Sequence, residues 1–231
     1  NSKAISSLPA VSSLKVLRKA ELQKSKVESP FLGIGDPALA KSEEYFTLRN
    51  KGKNAIPNLL RSIVGASRSI VAVDVLSRMA ELPETADELK QVSDILGGSK
   101  QDLYLRDKAT ETIVKSLPLN KYNVVHFATH GLMAGDFQGL IEPALVMTLS
   151  PNVLDFDDNG LLTTSEITQL NFNANMVVLS ACNTAANDGS PGAEGLSGLA
   201  RAFFYAGGRA LFVSNWAVAS DATVDITIGM F

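Results

Sequence analysis

Residues 175–183 read NMVVLSACN, and residues 123–131 read NVVHFATHG. In each, a hydrophobic run rich in valine breaks abruptly into small and polar residues. Near-continuous apolar strands, unlike alternating ones, are buried on both faces, and such strands belong to largely parallel sheets. Both stretches therefore read as inner strands, 123–128 and 176–180.

Outward from these strands the pattern alternates. FLGIGDP (31–37) belongs to a buried strand ending in a Gly/Asp/Pro turn. LPETADELKQVSDILGG (82–98) predicts a helix, with Thr85 as its cap, Glu88 three positions on, and Gly97-Gly98 as its end. Short strands are expected at 101–105, 144–149 and 210–214. Helices are expected at 107–117, 164–170 and 195–206, the last packed through Leu196, Leu199, Ala202 and Phe203. A final helix is expected from Asp221. Nearer the N-terminus, 11–24 reads as a helix with Val11, Leu14 and Leu17 on one side. A second helix is expected at 57–67, where Pro57 suits the first turn. SIVAVDVL (69–76) fits strand or helix equally. Strands alternating with helices predict a three-layer α/β domain with a mostly parallel central sheet between helices.

Composition narrows the function classes. The chain has 231 residues, enough for one sizeable domain, and 45% of them are hydrophobic. Lys plus Arg is 21 against 24 Asp plus Glu, a formal charge of -3, and no basic tract predicts a nucleic-acid surface. No apolar stretch approaches the roughly 18 residues of a membrane span. The single cysteine forms no internal disulfide and fits a reducing compartment such as the cytoplasm, or a reactive thiol. The start NSKAISS, without Met, and an end within an apolar pattern predict a piece of a longer protein.

The chemistry gathers at the two strand ends. Functional residues of parallel sheets collect beyond the carboxyl ends of the strands. His130 falls just past such an end, beside Gly131, whereas His126 falls within the strand and reads as structural. Cys182 lies where apolar strand changes to the polar, flexible loop ACNTAANDGSPGAEG. A thiolate is the reactive form of cysteine, and a neighbouring imidazole helps to produce it. His130 and Cys182 are therefore the candidate base and nucleophile, with no cofactor required.

Three other sites compete. Asp155, Asp157, Asn159 and Glu166 match the spacing of a calcium loop, but the residues before them read as strand and turn where such a loop needs a helix. His126, His130 and Cys182 offer three zinc ligands without a clear fourth. GIGDP lacks the glycine pattern of a dinucleotide site, and no phosphate-binding loop motif occurs.

HFATHG (126–131), GLLTTSEI (160–167), VVLSACNTA (177–185), AEGLSGLARAFFYAGG (193–208) and ALFVSNWAV (210–218) occur in that order. LPAVSSLKVLR, FLGIGDP, LPETADEL and LYLRDKAT precede them. Together they resemble the CHAT domain family, a bacterial and cyanobacterial branch of the caspase-like clan that also resembles separases. The 52 residues from His130 to Cys182 agree with the caspase-type spacing of about fifty. The resemblance covers roughly residues 8–231.

It implies a caspase-like fold and a catalytic dyad of His130 and Cys182, with backbone N–H groups of Gly131 and Cys182 as oxyanion donors. It implies a peptide or protein substrate and a sensor or tetratricopeptide-repeat region N-terminal to the domain. Metacaspases of the same clan carry an aspartate two residues before the nucleophile, where this chain has Ser180, itself a candidate for the substrate cleft. Asp136, Asp188 and Glu194, from loops, are then the acidic candidates for a substrate cleft. Ser214, Asn215 and Trp216, after the last strand, are candidates to line it. A different class of function is a caspase-like scaffold that binds a partner while its dyad stays idle.

Overall fold

The computed structural model describes residues 27–39, 75–149, 158–180, 198–213, 227–229 and 231. They form β1 (Ser29–Pro37), α1 (Pro83–Leu96), β2 (Leu103–Arg106), α2 (Glu111–Ser116), β3 (Tyr122–Ala128), β4 (Gly131–Leu132), β5 (Ala144–Val146), β6 (Leu161–Thr163), α3 (Thr164–Ile167), β7 (Met176–Leu179), α4 (Gly198–Tyr205) and β8 (Leu211–Val213). Five strands make the main sheet in the order β2-β1-β3-β7-β8, and every pairing is parallel. The outcome is the caspase-like three-layer α/β fold, with the two valine-rich stretches adjacent at its centre.

Both faces of this sheet are covered, which is why its strands carry no alternation. On one face Phe31, Val124, Ala128 and Val178 pack against Leu89 and Val92 of α1. On the other, Leu32, Ile34, Val125, Phe127, Val177 and Leu179 pack against Val114 of α2, Ile167 of α3, and Leu199, Ala202 and Phe203 of α4. Phe203 anchors that side, its ring 5.4 Å from Phe127 and 5.6 Å from Phe172. Gly33 and Gly35 let α1 lie close to the sheet. A Cβ on Gly35 would stand 2.8 Å from Leu89 and nearer still to the Ala128 carbonyl oxygen.

β4, β5 and β6 form a separate antiparallel sheet. The strand expected at 144–149 is its middle member and is shorter, ending at Val146. Beneath it Leu76, Leu132, Ala144, Val146 and Leu161 form their own core.

Two helix starts differ from expectation. α1 opens at Pro83, whose fixed φ suits a first turn, so Thr85 lies inside the helix and does not cap it. The Thr85 hydroxyl instead donates to the Leu82 carbonyl (2.7 Å) and accepts the Asp36 amide (3.0 Å). Glu88 is buried in the core and takes no part in capping. α2 begins at Glu111, later than Asp107, because the Thr110 hydroxyl caps it by accepting the Ile113 amide. α1 does end as expected, on left-handed Gly97, with the Gly98 amide returning to the Ser93 carbonyl at 2.7 Å. The helices expected at 11–24 and 57–67, and most of 69–76, lie outside the described residues, as does 221–226 of the final helix.

Candidate active site

The parallel sheet sends the ends of β1, β2, β3 and β7 to one edge. His130 is the second residue after β3, and its carbonyl accepts the Val146 amide at 2.9 Å, tying it to β5. Its imidazole Nε2 lies 2.7 Å from the Ala80 carbonyl oxygen. A carbonyl has no hydrogen to give, so Nε2 must be the donor and carries the proton. In neutral imidazole the lone pair then sits on Nδ1, the atom left to accept a proton. Gly131 opens β4, opposite Leu145.

A polar cluster lies beside Ala80, just ahead of α1. The next residue, Glu81, lies 3.4 Å from the Arg106 guanidinium, which also pairs with Asp36 at 3.1 Å. Burial pushes the Asp36 carboxyl above the usual carboxylate range, and the Arg106 guanidinium opposes that shift. The Arg106 carbonyl accepts the Thr148 hydroxyl at 2.6 Å, and Thr148 accepts the Ala38 amide at 2.9 Å.

His126 is wholly enclosed on the α1 side of the sheet, with Phe31 edge-on at 6.2 Å between ring centres. Its Nε2 lies 2.8 Å from the Ser180 hydroxyl and 3.1 Å from a carboxylate oxygen of Glu88. The second contact is close enough for an ion pair yet is not aligned as a hydrogen bond, and both Glu88 oxygens and His126 Nδ1 lack a hydrogen-bond partner among the described residues. We read the Ser180 contact as the directed one, because a ring N–H points along a single axis. Ser180 is itself buried, and its amide donates to the Phe127 carbonyl at 3.0 Å.

The remaining candidates divide. Asp136 is exposed and its carboxylate accepts the Met133 amide at 2.7 Å, closing its own turn. Cys182, Asp188, Glu194, Ser214, Asn215 and Trp216 lie outside the described residues, as do Asp155 and Asp157. Asn159 accepts the Leu161 amide (3.1 Å), and Glu166 accepts the Thr163 amide (2.8 Å) and pairs with Lys115 (2.7 Å). These two proposed calcium ligands are thus engaged with the protein. The two imidazoles direct Nε2 at different groups, Ser180 and Ala80, and the described residues hold no cluster of three metal-ligating side chains. No described helix is long and apolar enough to cross a membrane.

The model of the CHAT domain matches residues 1–231. The chain belongs to the CHAT domain family. This places it in the caspase-like class of peptidases. No curated protein matches the chain. Sequence reasoning did not single out Ala80, Asp36, Arg106 or, as a site residue, Glu88 in this CHAT domain. A signal for Glu88 was present. It falls beside Leu89 and one turn from Thr85 and Val92, on the helix face that is buried. An acid on that stripe needs a partner in the core. Ala80 acts through its backbone, so no residue type marks it.

Proposed function

We propose that this CHAT domain is a cysteine endopeptidase acting through His130 and Cys182. The Cys182 thiol proton passes to His130 Nδ1, and the sulfur attacks the substrate carbonyl carbon. The backbone N–H groups of Gly131 and Cys182 receive the developing oxyanion. As the C–N bond breaks, His130 returns the proton to the leaving amine, leaving a thioester on Cys182. Water, losing a proton to His130, then hydrolyses the thioester and frees the thiol.

The observation that carries this reading is the 2.7 Å contact between His130 Nε2 and the Ala80 carbonyl. It puts the proton on Nε2 and leaves Nδ1 as the accepting nitrogen of the neutral ring, and it supplies the orienting third group without another side chain. Membership of a caspase-like family supports the same chemistry. In this reading the domain is cytoplasmic, forms part of a longer protein, and answers to a sensor or tetratricopeptide-repeat region N-terminal to it. Ser214, Asn215 and Trp216 line the substrate cleft.

Active-site labelling tests it. A peptide-like thiol electrophile is applied to the full-length protein, with and without its activator, and the adduct is located by mass spectrometry. Fast labelling at Cys182 that falls about a hundredfold in His130→Ala is expected for an activated nucleophile. Slow labelling indifferent to His130 in the activated protein would reject the dyad and favour a partner-binding domain.

A further inference from the structure

Asp158, Asn159 and Gly160 lead into β6, and the fold dictates both members of the Asn159–Gly160 pair. Gly160 is buried with φ 83°, and a Cβ there would stand 2.6 Å from Leu149 and 3.1 Å from Leu76. Left-handed backbone and close packing together call for glycine. Its carbonyl accepts the Met147 amide at 2.9 Å, holding the chain just after β5. Asn159 Oδ1 and Glu111 Oε1 share one donor, the Leu161 amide, at 3.1 and 3.0 Å. An aspartate at 159 would bring a second negative charge to that N–H, so the position calls for a neutral acceptor.

Asparagine followed by glycine is chemically labile. The peptide nitrogen of the glycine attacks the side-chain amide carbon, and a residue without Cβ hinders that approach least. Here Gly160 N would lose its proton and bond to Asn159 Cγ. The Cγ–Nδ2 bond breaks, and Nδ2 takes up a proton and leaves as ammonia. Water then opens the cyclic imide. Breaking the bond from Gly160 N to Cγ gives aspartate. Breaking the bond from Gly160 N to the main-chain carbonyl carbon gives an isoaspartyl link, with one more carbon in the main chain.

The nitrogen reacts only when it sheds its hydrogen and turns toward Cγ. The Gly160 N–H instead donates to Glu111 Oε1 at 2.7 Å, and the wholly buried Glu111 is itself paired with Lys115 at 3.0 Å. A buried N–H on a buried acceptor is released only by local opening.

We propose that Asn159–Gly160 is a self-modification site, an imide-forming pair that Glu111 restrains by holding the Gly160 amide. Opening of the segment before β6 releases the reaction. Either product sets a second carboxylate beside Glu111, and the isoaspartyl link also displaces Gly160. The modified chain therefore stays loosened at the contact that holds β6.

The test incubates the full-length protein in mildly alkaline buffer, folded and in urea. Mass spectrometry follows the gain of acid over amide in the peptide bearing Asn159, and enzymatic methylation reads isoaspartate. Asn159→Asp, which cannot show the gain, is the control. Folded wild type is expected to react at least about tenfold more slowly than the unfolded chain. Folded Glu111→Leu is expected to react at least about fivefold faster than folded wild type, while Glu111→Gln, which keeps an acceptor oxygen, stays within about threefold. Folded wild type reacting as fast as the unfolded chain would overturn the proposal, as would a wild-type rate in folded Glu111→Leu. An equal acceleration in Gly97→Ala, destabilised far from the pair, would also overturn it. Should Glu111→Leu fail to fold, hydrogen exchange at the Gly160 amide of the wild type decides. Exchange at least about a hundredfold below the unfolded rate is expected, and exchange at the unfolded rate would overturn the restraint.

Discussion

Asp36, next to last in β1, and Arg106, last in the neighbouring β2, have left-handed backbone, φ 45° and 53°, and their side chains meet there at 3.1 Å. Among the described residues they are the only non-glycine positions with positive φ. Strain of this kind persists where surrounding contacts over-determine the backbone. Here the contacts are the ion pair, the Thr85 hydroxyl and the Thr148 hydroxyl.

Asn tolerates left-handed backbone, whereas a β-branched residue does not. Asp36→Asn is therefore expected to cost no more than about 1 kcal/mol, since half of the Arg106 side chain remains in water. Asp36→Val is expected to cost about 1–2 kcal/mol more. Urea midpoints read both. Arg106→Ala is expected to slow His130-dependent labelling of Cys182 by about three- to tenfold through the loosened Ala80 turn. No change in that rate would show that Ala80 is held without Arg106.

Glu111 gives the fold a pH dependence. Its carboxyl is fully buried, accepts the Gly160 and Leu161 amides, and pairs with Lys115 at 3.0 Å. Burial, then the charge of Glu166, pushes it from 4.5 up to about 7. Because the folded state holds this proton more tightly than the unfolded chain, the contribution is present below about 4.5 and is lost as pH rises through about 7. The loss over that window is on the order of 3 kcal/mol. Glu111→Gln is expected to flatten the slope of urea midpoint against pH between about 4.5 and 7. An unaltered slope would place the titration elsewhere.

Glu166 serves the Thr163 cap and the Lys115 pair together. Glu166→Gln keeps a capping acceptor and removes the charge that repels Glu111. The Glu111 transition is expected to move to lower pH in this variant. Since a cation would have to displace Lys115, millimolar calcium is expected to leave the melting temperature unchanged. A calcium-dependent rise would revive the loop as a metal site.

Gly35→Ala is expected to cost more than about 2 kcal/mol, because the new Cβ meets the Ala128 backbone oxygen and Leu89 together. Gly97→Ala also forces a left-handed residue, φ 71°, but into open space, so about 1 kcal/mol is expected. Thermal melts of the two variants compare overpacking with backbone strain directly.

Much of the sheet was legible because its strands are buried on both faces. The continuous valine runs of β3 and β7 stand out from any loop, and Gly97 marks the end of α1. The antiparallel sheet was not legible as a separate layer. β4 and β6 are only 2 and 3 residues long, too short for a period to show. At the site, His130 was readable from its place after a strand. Its partner was not, since a backbone oxygen at Ala80 depends on where the chain before α1 comes to rest. The Arg106–Asp36 pair joins residues 70 positions apart, which no local pattern encodes.

The Glu88–His126–Ser180 contact has a consequence for how the chain finds its pairing. Along β3 and β7 the residues alternate between the two helical layers, and Val178 lies opposite His126. If β7 slid by one position, Leu179 would turn toward the Glu88 carboxylate and Ser180 would enter the core around Phe127 and Phe203. Apolar packing alone separates such alignments poorly, because valine and leucine fill either side. One hydroxyl and one acid in the interior make the misaligned sheet leave polar atoms stranded on both faces. The same three residues thus discriminate against a wrong sheet as the protein folds.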